Sequence, residues 1–425
     1  MWDKLKRVWT VKEVRNGLLF VFAMMVVFRV AANIPLPGID LAALRQFFDS
    51  NSALGMLNLF SGGTLRSFGL VAMGVGPYIT ASIIFQLLGM IVPRIEEIQK
   101  EGESGRQRIN QWTRLLTIPL AILQAFSLLS LMRQSQFQIL KDTSPLVIAV
   151  IIFGATAGTI FLMWIGELIS EKKVGNGISL LIFAGILAQL PTSFSQFLST
   201  YDSSQLFTVL LYAAIAVVTI AGVVFVTEGQ RNVPVQYARQ SRGMSTGTGG
   251  VTSSLPLRVN MVGVIPIIFA ISLLILPTIL AQFLVRAKAV WLADSARWVM
   301  TTLQDQWVYG ILYFLMVVGF TYFYTTVVFH PEQIAENLQK QGGFVPGIRP
   351  GKPTADYIQN IINRITLGGA LFLGAIAVLP LIAQAFTHTQ TLALGGTSLL
   401  IVVSVVIESV KQVESQLTMR EYDAY

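Results

Sequence analysis

The chain has 425 residues, of which 53% are hydrophobic and 12% charged, with a mean hydropathy of +0.65 and a formal net charge of +8. Soluble domains carry about 25% charged residues, so a water-soluble enzyme or binding module is excluded. The chain has no cysteine, which excludes disulfides and Cys-ligated metals.

Ten apolar segments follow in chain order: Gly17–Ile34, Phe68–Val92, Leu115–Met132, Leu146–Ile169, Ile178–Leu190, Leu206–Val226, Met261–Val285, Val308–Phe329, Ile365–Phe386 and Leu392–Ile407. A bilayer-spanning helix needs about 20 mainly apolar residues. Barrel strands would alternate over about 10 residues, and these runs are longer and do not alternate. Helices satisfy their own backbone in lipid, so the sequence predicts an all-α polytopic membrane protein with ten transmembrane helices, here spans 1 to 10. The basic N-terminus followed by span 1 resembles a signal peptide. Ala31-Ala32-Asn33-Ile34-Pro35 is a poor cleavage site, however, and span 1 is expected to be retained.

Charge sets the expected orientation. Lys and Arg in the tails and loops alternate between two sides in a ratio of 22 to 7, which places both termini in the cytoplasm. A basic cytoplasmic face suits anionic lipid or a large acidic partner such as RNA.

A faint internal repeat divides the chain. Gly74-Val75-Gly76-Pro77-Tyr78-Ile79 in span 2 pairs with Gly263-Val264-Ile265-Pro266-Ile267-Ile268 in span 7. Gly177-Ile178-Ser179-Leu180-Leu181-Ile182, opening span 5, pairs with Gly396-Thr397-Ser398-Leu399-Leu400-Ile401, read as opening span 10. Each pair lies five spans apart, so its members cross the membrane in opposite directions. That is the mark of an inverted-topology repeat, and Gly/Pro-interrupted or short spans at matched positions point to a pathway. Spans 2, 5, 7 and 10 are therefore expected to line it, and they offer aliphatic residues there: Val75, Ile79, Ile178, Ile182, Ile268 and Ile401.

Three stretches are too long for simple turns. Pro35–Ser67 holds a short half-polar piece around Ser61-Gly62-Gly63, read as a re-entrant segment or a surface loop. Glu228–Arg258 is rich in glycine and arginine. His330–Arg364 carries Arg349 between two Gly/Pro turns, a rigid tip rather than a linker.

No catalytic constellation stands out. His330 and His388 are the only histidines, and Gly102-Glu103-Ser104-Gly105 lacks the strand–turn–helix setting of a nucleophile. Ion-coupled transporters place charge near the midplane, whereas Arg29 and Glu167 fall near span ends, where they are expected to snorkel. An ion- or solute-coupled secondary transporter with an inverted repeat is the alternative to a passive channel.

Gly38-Ile39-Asp40, Phe60-Ser61-Gly62-Gly63, Pro77-Tyr78-Ile79, Lys100-Glu101-Gly102-Glu103-Ser104-Gly105-Arg106, Gly175-Asn176-Gly177-Ile178-Ser179, Phe344 to Gly351 and Gly395-Gly396-Thr397-Ser398-Leu399 together resemble the SecY family, the channel subunits of the bacterial protein-conducting translocon. The resemblance covers essentially the whole chain. It implies a clamshell of two inverted five-helix halves, residues 1–190 and 206–425, hinged at loop 191–205. It implies a passive channel that passes unfolded secretory polypeptides and releases transmembrane segments sideways into lipid, with no catalytic residue, metal or cofactor. The family's pore ring falls on Val75, Ile79, Ile178, Ile182, Ile268 and Ile401. Its plug falls on Asn58, Leu59, Phe60, Ser61, Gly62, Gly63, Thr64, Leu65 and Arg66. The lateral gate, between spans 2 and 3 and spans 7 and 8, offers Thr80, Gln86, Gln124 and Asn260. Docking of the ribosome, with its RNA, and of the SecA ATPase falls on Arg231, Arg239, Arg242, Arg349 and Lys352. Further implied partners are SecE and SecG-like small membrane subunits, secretory preproteins with their signal sequences, and membrane lipid. The implied location is the bacterial cytoplasmic (inner) membrane. The chain departs from the family pattern near the tip of loop 6/7, where Met244-Ser245-Thr246-Gly247 stands in place of a further basic pair.

Overall fold

The computed structural model describes residues 9–50, 64–134, 139–142, 144–200, 206–237, 251–285, 289–387 and 390–423. In chain order the elements are α1 (Lys12–Ala32), α2 (Leu41–Ser50), α3 (Thr64–Ser67), α4 (Gly76–Ile91), α5 (Pro93–Lys100), α6 (Glu103–Gln134), α7 (Pro145–Glu171), α8 (Gly177–Thr200) and α9 (Leu206–Glu228). Strands β1 (Gln230–Tyr237) and β2 (Val251–Arg258) follow, then α10 (Ile265–Leu284), α11 (Val290–Gln304), α12 (Gln306–Val328), α13 (Pro331–Lys340), β3 (Gly343–Phe344), α14 (Lys352–Thr387) and α15 (Gln390–Asp423).

The ten apolar segments fall on α1, α4, α6, α7, α8, α9, α10, α12, α14 and α15. Among the described residues, five helices are long and apolar enough to cross a bilayer unaided. The pair α4–α5, bent by 107°, makes a sixth. Helices α8, α9 and α10 carry shorter apolar stretches, Gly177–Pro191, Ala213–Glu228 and Ile265–Leu274. Local chemistry starts these helices. Ser144 accepts a hydrogen bond from the Val147 amide ahead of Pro145, and Asp305 accepts from the amides of Trp307 and Val308.

Some boundaries differ from the sequence reading. Span 2 is helical only from Gly76; residues 68–75 form a series of turns. Helix α8 continues through Pro191 to Thr200, into the stretch expected to be hinge loop, so only 201–205, outside the described residues, remains between it and α9. Span 10 does not open at Gly396: α15 starts at Gln390 and carries Gly395 and Gly396 inside it. Helices α8 and α15 run beyond the apolar stretches of spans 5 and 10, to 24 and 34 residues. The two glycines do not mark a helix start, because a helix interior tolerates glycine at a cost of about 1 kcal/mol each.

The two halves use one packing scheme. In the first half α1 packs on α7 and α8, α4 on α6, α6 on α7, and α7 on α8. In the second half α9 packs on α14 and α15, α10 on α12, α12 on α14, and α14 on α15. Each of these neighbour pairs thus recurs five spans later. The halves meet on two sides. On one, α10 packs against α4 and α6; on the other, α15 packs against α8 and α1.

The second junction carries polar contacts. The Gln416 side-chain amide of α15 donates to the carbonyl oxygen of Lys173 (2.6 Å) and reaches that of Lys172 (3.4 Å), in the turn after α7. The Lys172 ammonium lies 4.8 Å from the centre of the Phe20 ring on α1. At the same end of the bundle, Lys411 pairs with Glu228 at 2.9 Å.

Outside the bundle lies a three-stranded antiparallel sheet ordered β2-β1-β3. Strands β1 and β2 lie where the sequence predicts only a long loop, over 228–258. The missed signal is a period of two, Val233-Pro234-Val235 and Leu255-Pro256-Leu257, which sends Val233, Val235 and Leu257 inward. These three, with Leu338, Val345, Ile358, Ile361 and Ile362, form a satellite core beneath the sheet. Burying each such aliphatic from water stabilises by about 1.5–3 kcal/mol.

Candidate functional site: a pathway between two inverted halves

The start of α4 and the start of α10 have the same build. Gly74 and Gly263 both take left-handed backbone, with φ of 58° and 66°. Side chains rarely adopt that conformation, so glycine is needed at both turns. The carbonyls of Val75 and Val264 then accept from the amides of Ile79 (3.0 Å) and Ile268 (3.2 Å). The proline of each motif sits in the first helical turn, where a missing amide costs nothing. The repeat read from the sequence is thus a repeat of backbone geometry.

The start of α8 is set by Asn176. Its side-chain oxygen accepts from the amides of Ile178 (3.1 Å) and Ser179 (3.2 Å), and the Gly177 amide donates to Ser170 of α7 (2.9 Å). This fixes Ile178 and Ile182 one turn apart on a single face.

The expected ring residues fall in one large apolar cluster. Val75, Ile79, Ile182, Ile268 and Ile401 are buried members of one apolar cluster that spans both halves, and half-buried Ile178 packs against it. A helix-packing role and a pathway role share this geometry; the six come from α8, α10, α15 and the entry to α4, which together with α1 and α6 meet at the junctions between halves.

The four polar gate candidates are distributed differently. The Thr80 hydroxyl donates to the Gly76 carbonyl (3.1 Å), the Gln86 amide donates to the Ser82 hydroxyl (3.1 Å), and Asn260 accepts from the Gly263 amide (2.9 Å). All three bonds stay within their own segments. Gln124 on α6 approaches Gly76 at the start of α4. None of these three bonds crosses the junction of α10 with α4 and α6.

Of the plug stretch, Asn58, Leu59, Phe60, Ser61, Gly62 and Gly63 lie outside the described residues. Thr64, Leu65 and Arg66 form the short helix α3, where the Thr64 hydroxyl donates to the carbonyls of Val71 (3.0 Å) and Ala72 (3.3 Å). Arg239 and Arg242 also lie outside the described residues. Arg231 is exposed on β1, and Arg349 and Lys352 are exposed at the turn before α14. That turn is rigid: Gly347 and Gly351 take φ of 83° and 94°, and the Thr354 hydroxyl donates to the Arg349 carbonyl (2.8 Å). Sheet pairing ties it to β1 through Gln236 opposite Phe344 and Tyr237 opposite Gly343.

Near the end of span 4, the Glu167 carboxylate accepts from the Arg114 guanidinium of α6 at 2.7 Å. A pair with a short charge-assisted bond needs no excursion to the headgroups.

The sequence pattern of the SecY family matches residues 69–410. This chain belongs to the SecY family. Its relatives there include the protein translocase subunit SecY of Mycobacterium tuberculosis, 42% identical over 432 residues and 97% of each chain. The SecY of Streptomyces coelicolor is 41% identical over 438 residues, 99% of this chain and 98% of its own. Among solved structures, a protein-conducting channel aligns with a TM-score of 0.64 at 18% identity, over 94% of this chain and 91% of its own. Sec61 in a canine ribosome–channel complex aligns with a TM-score of 0.60 at 18% identity over the same shares. These two likenesses bear on the fold alone. With its spanning helices, SecY membership makes the chain a multi-pass membrane protein.

Proposed function

We propose that this chain is the channel-forming subunit of a protein translocase, and that unfolded polypeptide passes between its two halves. The observation that carries this reading is that six aliphatic side chains, from the entry to α4 and from α8, α10 and α15, belong to one apolar cluster shared by the two inverted halves. Val75, Ile79, Ile178, Ile182, Ile268 and Ile401 form the constriction. Dispersion contacts have no directional demand, so the ring yields to any side chain and closes again, and a narrow apolar neck expels water and ions. A coupled transporter would instead present charged ligands there.

The stretch Asn58–Arg66 acts as the plug. Signal sequences and membrane segments leave where α10 parts from α4 and α6, past Thr80, Gln86, Gln124 and Asn260. Polar contacts between membrane helices average about 0.6 kcal/mol, and the hydrogen bonds of Thr80, Gln86 and Asn260 do not cross this junction. Parting therefore breaks no strong bond at these positions. The sheet end faces the bacterial cytoplasm with both termini, and Arg231, Arg239, Arg242, Arg349 and Lys352 there meet the SecA ATPase or the ribosome and its RNA. SecE and SecG-like subunits complete the assembly. Energy for transport enters through the motor or the ribosome.

The test uses the absence of cysteine in the chain. Cysteines at Ile79, Ile182 and Ile401, one at a time, are paired with one in a secretory chain stalled in transit. Disulfide adducts at all three positions are expected. Adducts confined to lipid-facing control positions would refute the pathway.

A further inference from the structure

Three of the chain's seven tryptophans, Trp291, Trp298 and Trp307, fall within one short stretch between α10 and α12. All three are exposed, by 70%, 68% and 62%. Helix α11 joins the far end of α10 to the start of α12, at the end of the bundle opposite the sheet, and packs on both.

Its circumference has three sectors. Ala293 and Ala296 are buried against the bundle. Asp294, Arg297 and Thr301 form an exposed polar edge, with Arg297 3.7 Å from Asp294. Trp291 and Trp298, seven residues apart and so on one line, lie opposite the buried alanines, with the polar edge flanking them on one side. Beyond α11, the Asp305 carboxylate caps α12 and sets Trp307 in its first turn, followed by exposed Val308, Ile311 and Leu315. That row is the outside of span 8, so the tryptophans continue a lipid-facing surface where it reaches its polar limit. Indole has an apolar body and one N–H donor, and it settles at the boundary between headgroups and acyl chains.

We infer that α11 is an interfacial helix. Its partner is the lipid surface at the end of the bundle opposite the sheet, with Trp291, Trp298 and Trp307 seated at the headgroup boundary and Asp294, Arg297 and Thr301 turned to water. The helix thereby moors to lipid the end of α10, one side of the proposed lateral exit. The mooring does not depend on that exit being used.

The full-length protein, reconstituted in vesicles of phosphatidylethanolamine and phosphatidylglycerol, decides this. Trp291→Cys, Trp298→Cys, Arg297→Cys and Thr301→Cys are made singly and labelled with a nitroxide, and collisions with oxygen and with a soluble nickel chelate are compared. Oxygen is expected to dominate at 291 and 298, and the nickel chelate at 297 and 301. Water-like collisions at all four sites, or shielding of 291 and 298 from both reagents, which marks a protein cover, would overturn the inference. A second readout guards against label-induced unfolding. Variants keeping only Trp291, Trp298 and Trp307, with the other tryptophans changed to Phe, should lose most emission to shallow brominated lipid. Quenching by aqueous acrylamide alone would overturn the inference as well.

Discussion

The waist of the bundle and the platform at its sheet end are held together in opposite ways. At the waist, five of the six proposed ring residues are buried aliphatics of one apolar cluster, whose contacts are of the dispersion kind. In the platform, β3 is registered on β1 by backbone hydrogen bonds, Gly347 and Gly351 take left-handed backbone, and the Arg349 carbonyl is held by the Thr354 hydroxyl. The first kind of contact ranks neighbours by volume alone. The second specifies a direction for each group. A surface that must admit many chains suits the first, and one that must meet a particular partner suits the second.

The largest expected effect comes from making the waist directional. Ile79, Ile182, Ile268 and Ile401 changed together to Ser should hold water in the neck and raise the resting ion current in planar bilayers roughly tenfold or more. Deleting 58–66 as well should raise it further. By contrast, Ile182→Leu conserves volume, costs under about 1.5 kcal/mol and should be nearly silent. Quadruple variants as tight as the parent would mean that these residues only pack helices together.

The next effect is at the tip. Arginine suits bidentate contact with carboxylate or phosphate. Arg349→Glu should therefore cut motor-driven export severely while thermal unfolding of the purified protein stays unchanged. Export at the parental rate would remove Arg349 from the docking surface.

A smaller effect tests whether sheet and tip move as one body. A side chain at Gly343 would lie 2.9 Å from the ring of Tyr237. Overpacking of this kind costs about 1–3 kcal/mol. Gly343→Val should speed hydrogen exchange in β1 and β3 and partly mimic Arg349→Glu, and Tyr237→Ala should restore it. Equal exchange in Gly343→Val would show the two loops to be uncoupled.

The smallest effect is one of pH. Asp40 precedes α2, and its carboxylate is held below the usual range by the amides of Ala43 and Ala42 and by Lys141. A depressed folded value means its support is full above the ordinary carboxylate pKa of about 3.9. That support fades as pH falls through the lower folded value. Exchange at the first turn of α2 should rise over that acid range, and Asp40→Asn should flatten the profile. Identical profiles would assign no role to the carboxylate.

The bundle was legible because lipid punishes unpaired backbone, so long apolar runs leave few alternatives to helix. The starts of α4 and α10 were legible too, since Gly74 and Gly263 mark backbone that other residues resist. The platform was hidden for a related reason. Its strands put only two or three side chains inward, Val233, Val235 and Leu257, and β1 gains its second neighbour from a segment over a hundred residues later. Composition and spacing do not encode such a meeting. The same holds for Arg114 and Glu167, 53 residues apart, which looked like two separate charges near span ends. For the gate, residue types were read from the sequence, but whether Thr80 bonds its own helix or a neighbour depends on a rotamer.

The clasp between Gln416 and the carbonyls of Lys172 and Lys173 has a mechanical consequence. The clasp ties α15 to the turn between α7 and α8, on the side away from the junction of α4 with α10. A body pinned along one edge moves most at the edge opposite, so a given rotation would open its widest gap at the proposed exit between α4 and α10.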